Sequence, residues 1–179
     1  IDGWHLPNVM TTGGTQIMLK TQGIFPGKDV VICGNGPLNF QLATELIKNN
    51  INVKAIIETS GKPFSKILSS IMCLISSPLI FFKGIATYLK NYFSNVKIHH
   101  NSALVKKDDE EDKKKILIKN TKKNNFSTIN NIDVVSLNYG FIPNNEIGKI
   151  LGLDGFFNKD KCYFQIKKNL FNETSKKNI

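Results

Sequence analysis

The run Asp29-Val30-Val31-Ile32-Cys33-Gly34-Asn35-Gly36-Pro37-Leu38 decides how the rest of the chain is read. Val30 to Cys33 is apolar on both faces and mostly β-branched, the pattern of a strand buried in a parallel sheet. Two glycines then bracket one residue, and Pro37 fits the first turn of a helix, where its missing N–H is not needed. From Leu38 to Lys48 the spacing is helical, with Leu38, Leu42, Ala43 and Leu46 on one face. Asn49-Asn50 closes that helix, and Ile51 to Ile57 reads as a second strand ending at Glu58. Strand, glycine turn, helix and strand therefore follow one another within the length of a single βαβ unit.

Each part of this unit has a physical use. Gly34 permits a sharp strand-to-helix turn, and Gly36 lets a pyrophosphate approach the backbone. The helix start offers free N–H groups and the positive end of its dipole. Glu58, an acid at the end of the second strand, can accept hydrogen bonds from the ribose hydroxyls of an adenosine and would repel a 2′-phosphate, which favours NAD over NADP. The third glycine of a full G-x-G-x-x-G is missing, because Asn39 stands there. A glycine turn that is only architecture stays open as the alternative.

Outward from this unit the pattern is that of an α/β chain. Residues 1–14 are punctuated by Gly and Pro, show no period and read as a connector, with a short helix expected over Thr15 to Thr21. Pro26-Gly27-Lys28 reads as a turn. Residues 65–93 form a long apolar stretch with helical spacing that Pro78 interrupts, so two helices meeting there are expected. The uninterrupted apolar run is shorter than the roughly 20 residues of a membrane span and contains serines, so no span is expected. These helices would cover either the sheet of this domain or other parts of a larger protein. Val96 to His99 reads as a third strand. Ala103–Lys107, Lys115–Lys119 and Phe126–Ile129 read as antiparallel strands, with a charged, solvated hairpin tip over 108–114. Ile132 to Leu137 reads as another buried strand, and Asn144 to Leu151 as a short helix with Asn144 or Asn145 as N-cap. The tail from Gly152 reads as irregular.

Composition narrows the function classes. The chain has 179 residues and a formal net charge of +10, yet all 24 basic residues are Lys. Without Arg, the residue suited to bidentate phosphate and guanine contacts, a solvated basic surface is expected and nucleic-acid binding is not. Cys33, Cys73 and Cys162 are scattered and odd in number, which argues against a disulfide framework or zinc site and for a reducing cytoplasm. Cys33 reads as a small core residue. His99 and His100 are adjacent on a strand and point to opposite faces, a poor geometry for one metal ion. The chain opens on Ile1 without a secretory-signal pattern and reads as a piece of a longer protein.

Four stretches resemble one family. Gly3-Trp4-His5-Leu6-Pro7-Asn8-Val9-Met10-Thr11-Thr12-Gly13-Gly14 is similar to its connector out of an FAD-binding half. Pro26-Gly27-Lys28 through Gly34-Asn35-Gly36-Pro37-Leu38 is similar to its nucleotide turn. Asn138-Tyr139-Gly140-Phe141-Ile142-Pro143-Asn144-Asn145-Glu146 is similar to the turn that closes its NAD domain, and Thr174 to Ile179 to the stretch before its FAD-binding Gly-Asp. The family is that of the FAD/NAD(P)-dependent, pyridine nucleotide-disulfide-type oxidoreductases. The likeness points to α-type flavoprotein subunits such as those of opine oxidase, dye-linked proline dehydrogenase, heteromeric sarcosine oxidase and hydrogen cyanide synthase.

The resemblance implies a Rossmann-like, three-layer NAD-binding domain with a parallel sheet and a small antiparallel β-meander, inserted in an FAD domain that is mostly absent here. Residues 1–25 would be the connector, 26–143 the NAD domain and 144–179 the return segment. Gly34, Asn35, Gly36, Pro37, Leu38, Glu58 and Gly140 would hold the nucleotide, NAD or another adenine nucleotide, with FAD in the full-length protein. The common Thr before Gly140 is replaced by Tyr139, and no C-x-x-C exists for dithiol chemistry within this chain. No catalytic acid, base or nucleophile is identified. Three functions remain open: part of an FAD-dependent amine or amino-acid dehydrogenase, a structural adenine-nucleotide module within a multi-subunit enzyme, and an NADH-dependent reductase passing electrons through FAD.

Overall fold

In a computed structural model of the chain, described for all residues except Pro26, Phe64, Lys66, Asn95, Glu111, Asp112, Asn178 and Ile179, the run at Asp29 is a buried central strand. The side chains of Ile67, Leu68, Ser69, Asp109, Glu110 and Lys113 also lie outside the described part. So do Pro26 of the expected turn, the middle of the charged run and the last two residues of the final family-like stretch.

The chain falls into two units, Ile1–Gly140 and Phe141–Ile179. The first begins with β1 (Val9–Thr11) and α1 (Thr12–Ile17), which runs on as a π-helical turn over Met18–Gln22. Then come β2 (Asp29–Gly34), α2 (Pro37–Lys48), β3 (Asn52–Glu58), α3 (Ile67–Ser76), α4 (Pro78–Phe93) and β4 (Lys97–His100). They are followed by β5 (Ser102–Glu110), β6 (Lys113–Asn120), β7 (Phe126–Asn130) and β8 (Val134–Asn138). β1, β8, β2, β3 and β4 form one parallel sheet in that spatial order, and β5, β6 and β7 an antiparallel one.

The alternation of side chains along β2 explains the layering. Val30 and Ile32 point to one face and pack with Leu42, Ala43 and Leu46 of α2, with Val53 and Ile56 of β3, and with Val134 of β8. Val31 and Cys33 point to the other face and meet Leu104, Ile116 and Ile118 of the antiparallel strands, with Ala55, Ile57 and Val135 beside them. A strand buried on both faces needs both covers, so three layers form: helices, parallel sheet and antiparallel meander. Burial pushes the Cys33 thiol far up, out of the reactive range.

Asp133 sets where β2 begins. Its carboxylate accepts the N–H groups of Lys28 and Asp29 at 3.0 and 3.1 Å and lies 3.3 Å from Lys114 Nζ. Those bonds hold its carboxyl below the usual range.

Several elements differ from the sequence reading. The connector is not without structure, because Val9–Thr11 pairs in parallel with Val135–Leu137 at the sheet edge. The first helix starts at Thr12, earlier than expected, with the Thr11 hydroxyl capping Gly14 N. β5 and β6 run through most of the charged segment, where Asp108 lies opposite Lys115 with their charged groups 3.8 Å apart. Opposite charges facing across an antiparallel pair extend a hairpin that polarity alone reads as loop.

The second unit contains α5 (Glu146–Ile150), inside the stretch expected to be helical, and a hairpin of β9 (Gly155–Asn158) and β10 (Tyr163–Ile166), where irregular chain was expected. The signal missed was Phe156-Phe157 followed by a turn and Tyr163-Phe164, two aromatic pairs at hairpin spacing.

Candidate functional site

Strand order locates the site. From β2 the chain moves one way across the sheet to β3 and β4, then returns to β8 on the opposite side of β2. The crossovers reverse between β2 and β8, and in open parallel sheets ligands bind in the crevice at the carboxyl ends of the strands beside such a reversal. Gly34 ends β2 and Asn138 ends β8, in register with each other.

The residues there are held closely. Gly34 has φ +142°, and a Cβ on it would fall 1.8 Å from Asn138 O, so only glycine fits. Asn35, exposed at the tip, donates its N–H to Asn138 O at 2.7 Å. Gly34 O accepts from Thr59 N at 2.9 Å and from the Thr59 hydroxyl at 3.2 Å. Gly36 differs. It has φ +103°, but a Cβ there would meet nothing within 4 Å, so the turn opens onto free space above the start of α2. Pro37 is the first residue of α2, and no side chain caps that end. Leu38, in the first turn, is half-buried, while Asn39 beside it is fully buried.

Glu58 reaches this turn directly. Its Oε2 accepts the Gly36 N–H at 3.3 Å, while Oε1 accepts Ser60 N at 3.2 Å and the Ser60 hydroxyl at 2.8 Å. The side chain is only 2% exposed. Three donors occupy a carboxylate that offers about four lone-pair positions. Gly140, two residues past β8, has φ +117° and donates its N–H to Asn138 Oδ1 at 3.2 Å. Thus Gly34, Asn35 and Gly140 all converge on Asn138, and Gly36 on Glu58.

Asn138, Ser60 and Asn39 were not read as site residues. Asn39 is fully buried, and its Oδ1 accepts the Thr12 hydroxyl at 3.3 Å. Thr12 and Thr15 both meet the Ser136 hydroxyl, at 3.2 and 3.0 Å. The place of the third glycine is thus filled by a polar side chain bonded to α1. No local signal links Asn39 to Thr12 or Ser136, because the three come together only when β1 and β8 pair.

His100, in register with Glu58 on the neighbouring strand, shares a 3.1 Å hydrogen bond with the Tyr88 hydroxyl. Burial lowers the pKa of His100, aided by Lys62, while Glu58 and the backbone carbonyls of Ser60 and Gly61 oppose it. Burial also lowers that of His99. Among the described residues no group of three or more His, Cys, Asp or Glu could hold a metal ion.

No family model matches the chain. An opine oxidase subunit from Agrobacterium tumefaciens is 37% identical over 91 residues, 50% of this chain and 18% of that protein. The hydrogen cyanide synthase subunit HcnB of Pseudomonas aeruginosa is 25% identical over 184 residues, 99% of this chain and 39% of that protein. The chain thus matches well under half the length of these relatives. Among solved structures, an NAD-dependent persulfide reductase from A. fulgidus superposes with a TM-score of 0.61 at 17% identity, covering 98% of this chain and 29% of that one. An FAD-dependent pyridine nucleotide-disulphide oxidoreductase from Desulfovibrio vulgaris superposes with a TM-score of 0.58 at 20% identity, covering 86% and 35%. By sequence the chain is a homologue of HcnB and of the opine oxidase protein, and by fold it stands with the pyridine nucleotide-disulphide oxidoreductases.

Proposed function

We propose that this chain is the NAD-binding part of an FAD-dependent oxidoreductase. One observation carries the reading: an uncapped helix start and an open Gly36 lie at the crossover reversal, with the Glu58 carboxylate 3.3 Å from Gly36 N. The backbone at Gly36 and the N-terminus of α2 would receive the pyrophosphate. Glu58 would bind the adenosine ribose through its remaining lone pair, or by giving up the Ser60 hydroxyl. Asn35, Pro37 and Leu38 would shape the turn, and Gly140 would border the same crevice beyond β8. In this reading residues 1–25 lead into the nucleotide domain, 26–143 form it, and 144–179 lead out. FAD belongs to the rest of the whole protein, and the two cofactors supply the redox chemistry. Relatives named for opine oxidation support an amine or amino-acid substrate, and their designation as subunits supports partner chains.

The test is calorimetric titration of the chain with NAD, NADP and ATP, repeated on Glu58→Ala. NAD is expected to bind more tightly than NADP, and Glu58→Ala to weaken NAD about tenfold, the loss of one hydrogen bond to a charged acceptor. Equal affinity for NAD and ATP, with no nicotinamide contribution, would support a structural adenine-nucleotide site instead. No binding of any of the three would overturn the reading for this chain.

A further inference from the structure

The hairpin of α3 and α4 leaves many of its apolar side chains exposed. α4 packs on α2 through one face only. There Asn91 is buried and its amide donates to Phe40 O, Thr44 Oγ1 and Thr87 O at 2.9, 3.0 and 2.8 Å, while the Tyr88 ring lies 5.5 Å from that of Phe40. The opposite face carries Leu79, Phe82, Ala86, Leu89 and Phe93, spaced by three and four residues in a continuous stripe. Leu79 and Phe93 are each 76% exposed and Phe82 61%. Ile71, Met72 and Ile75 of α3 extend the apolar surface and are exposed as well. A soluble face at helical spacing does not look like this.

Charge indicates the occupant. Lys83 and Lys90 each follow a stripe residue directly and lie beside it one heptad apart, both exposed. From Thr59 to Lys107 the sequence contains no Asp or Glu. A second copy docked stripe to stripe would bring lysines with no acid to meet them, a seam that lacks the flanking ion pairs of a stable coiled coil. An apolar stripe edged by lysines and free of acids instead complements an anionic lipid surface, with the rings entering the acyl boundary and the ammonium groups reaching the headgroups. Among the described residues no helix is long and apolar enough to cross a membrane, so such a helix lies in the interface plane. We propose that the outer face of α4, with α3 beside it, docks this protein on anionic membranes.

Flotation of the chain with vesicles tests this, using phosphatidylcholine alone or mixed with phosphatidylglycerol. The chain is expected to float with the mixed vesicles and not with pure phosphatidylcholine, and to be released as salt rises. Lys83→Ala with Lys90→Ala should weaken partitioning about fivefold for each lysine removed. Phe82→Ser with Phe93→Ser should abolish flotation. All four side chains are exposed, and circular dichroism should show an unchanged fold. Failure to float with mixed vesicles overturns the proposal. So does flotation that ignores both salt and the lysine variant. A dimer by light scattering that the phenylalanine variant dissociates, without vesicle binding, overturns it in favour of a second copy.

Discussion

The two glycines of the turn are used differently, and substitution separates them. At Gly34 a methyl group would collide with Asn138 O, the atom that also fixes Asn35. Gly34→Ala is therefore expected to cost more than about 2 kcal/mol in denaturant unfolding, the scale of a clash added to backbone strain. At Gly36 the added carbon meets free space, so Gly36→Ala bears only the strain of a backbone conformation that favours glycine, roughly 1–3 kcal/mol with no clash added, and keeps the fold. Its NAD affinity should still fall, because the methyl group stands where the pyrophosphate would approach. Equal NAD binding by Gly36→Ala and the unaltered chain would refute that placement. His99 and His100 make a pH prediction. Burial lowers both pKa values in the folded chain, so unfolding lets them take up protons below the ordinary value of about 6.5. Their contribution is intact above that pH and is lost progressively as pH falls below it. Thermal melts of a His99→Gln, His100→Gln variant should show a shallower decline below that pH. Asp133, depressed instead by its backbone donors, acts only at lower pH, as its carboxylate becomes protonated.

At the scale of elements, α2 and α1 meet through a polar contact where a third glycine would allow direct packing. Asn39 holds Thr12, and Thr12 holds Ser136, so the edge strand β1, helix α1 and strand β8 are joined by buried hydroxyls. Asn39→Gly is expected to destabilise the chain by roughly 1–2 kcal/mol, the sum of a lost hydrogen bond and helical glycine. NAD affinity should be unchanged, since Asn39 is fully buried and its amide oxygen is bonded to Thr12 of α1. A variant as stable as the original would show that the contact contributes nothing. Periodicity made β2, α2, β3 and the meander strands β5 and β6 legible because each buries apolar residues at a regular spacing. β1 was not legible, because three residues in a Gly- and Pro-rich stretch carry no period; Val9–Thr11 becomes a strand only because β8 offers an unpaired edge.

For the molecule as a whole, every buried hydrophobic residue of the two core clusters lies between Val30 and Val135. The unit from Phe141 onward carries no part of either. Residues 1–140 alone should therefore melt cooperatively within a few degrees of the whole chain, since even a 1 kcal/mol loss moves the midpoint by roughly 3 °C. A much lower or non-cooperative transition would show that the second unit supports the first. By itself the sequence determined the βαβ unit, the glycine turn, the acid at the end of the second strand and the two-sided core. These rest on interactions between residues near in sequence and on the alternation of side chains. Only the tertiary structure decided that Asn138 would seat both Gly34 and Gly140, that Asn39 would replace a glycine by bonding Thr12, and that one face of α4 would stay bare. Each of these depends on which strands become neighbours across the sheet, and strand neighbours distant in sequence leave no local period to read.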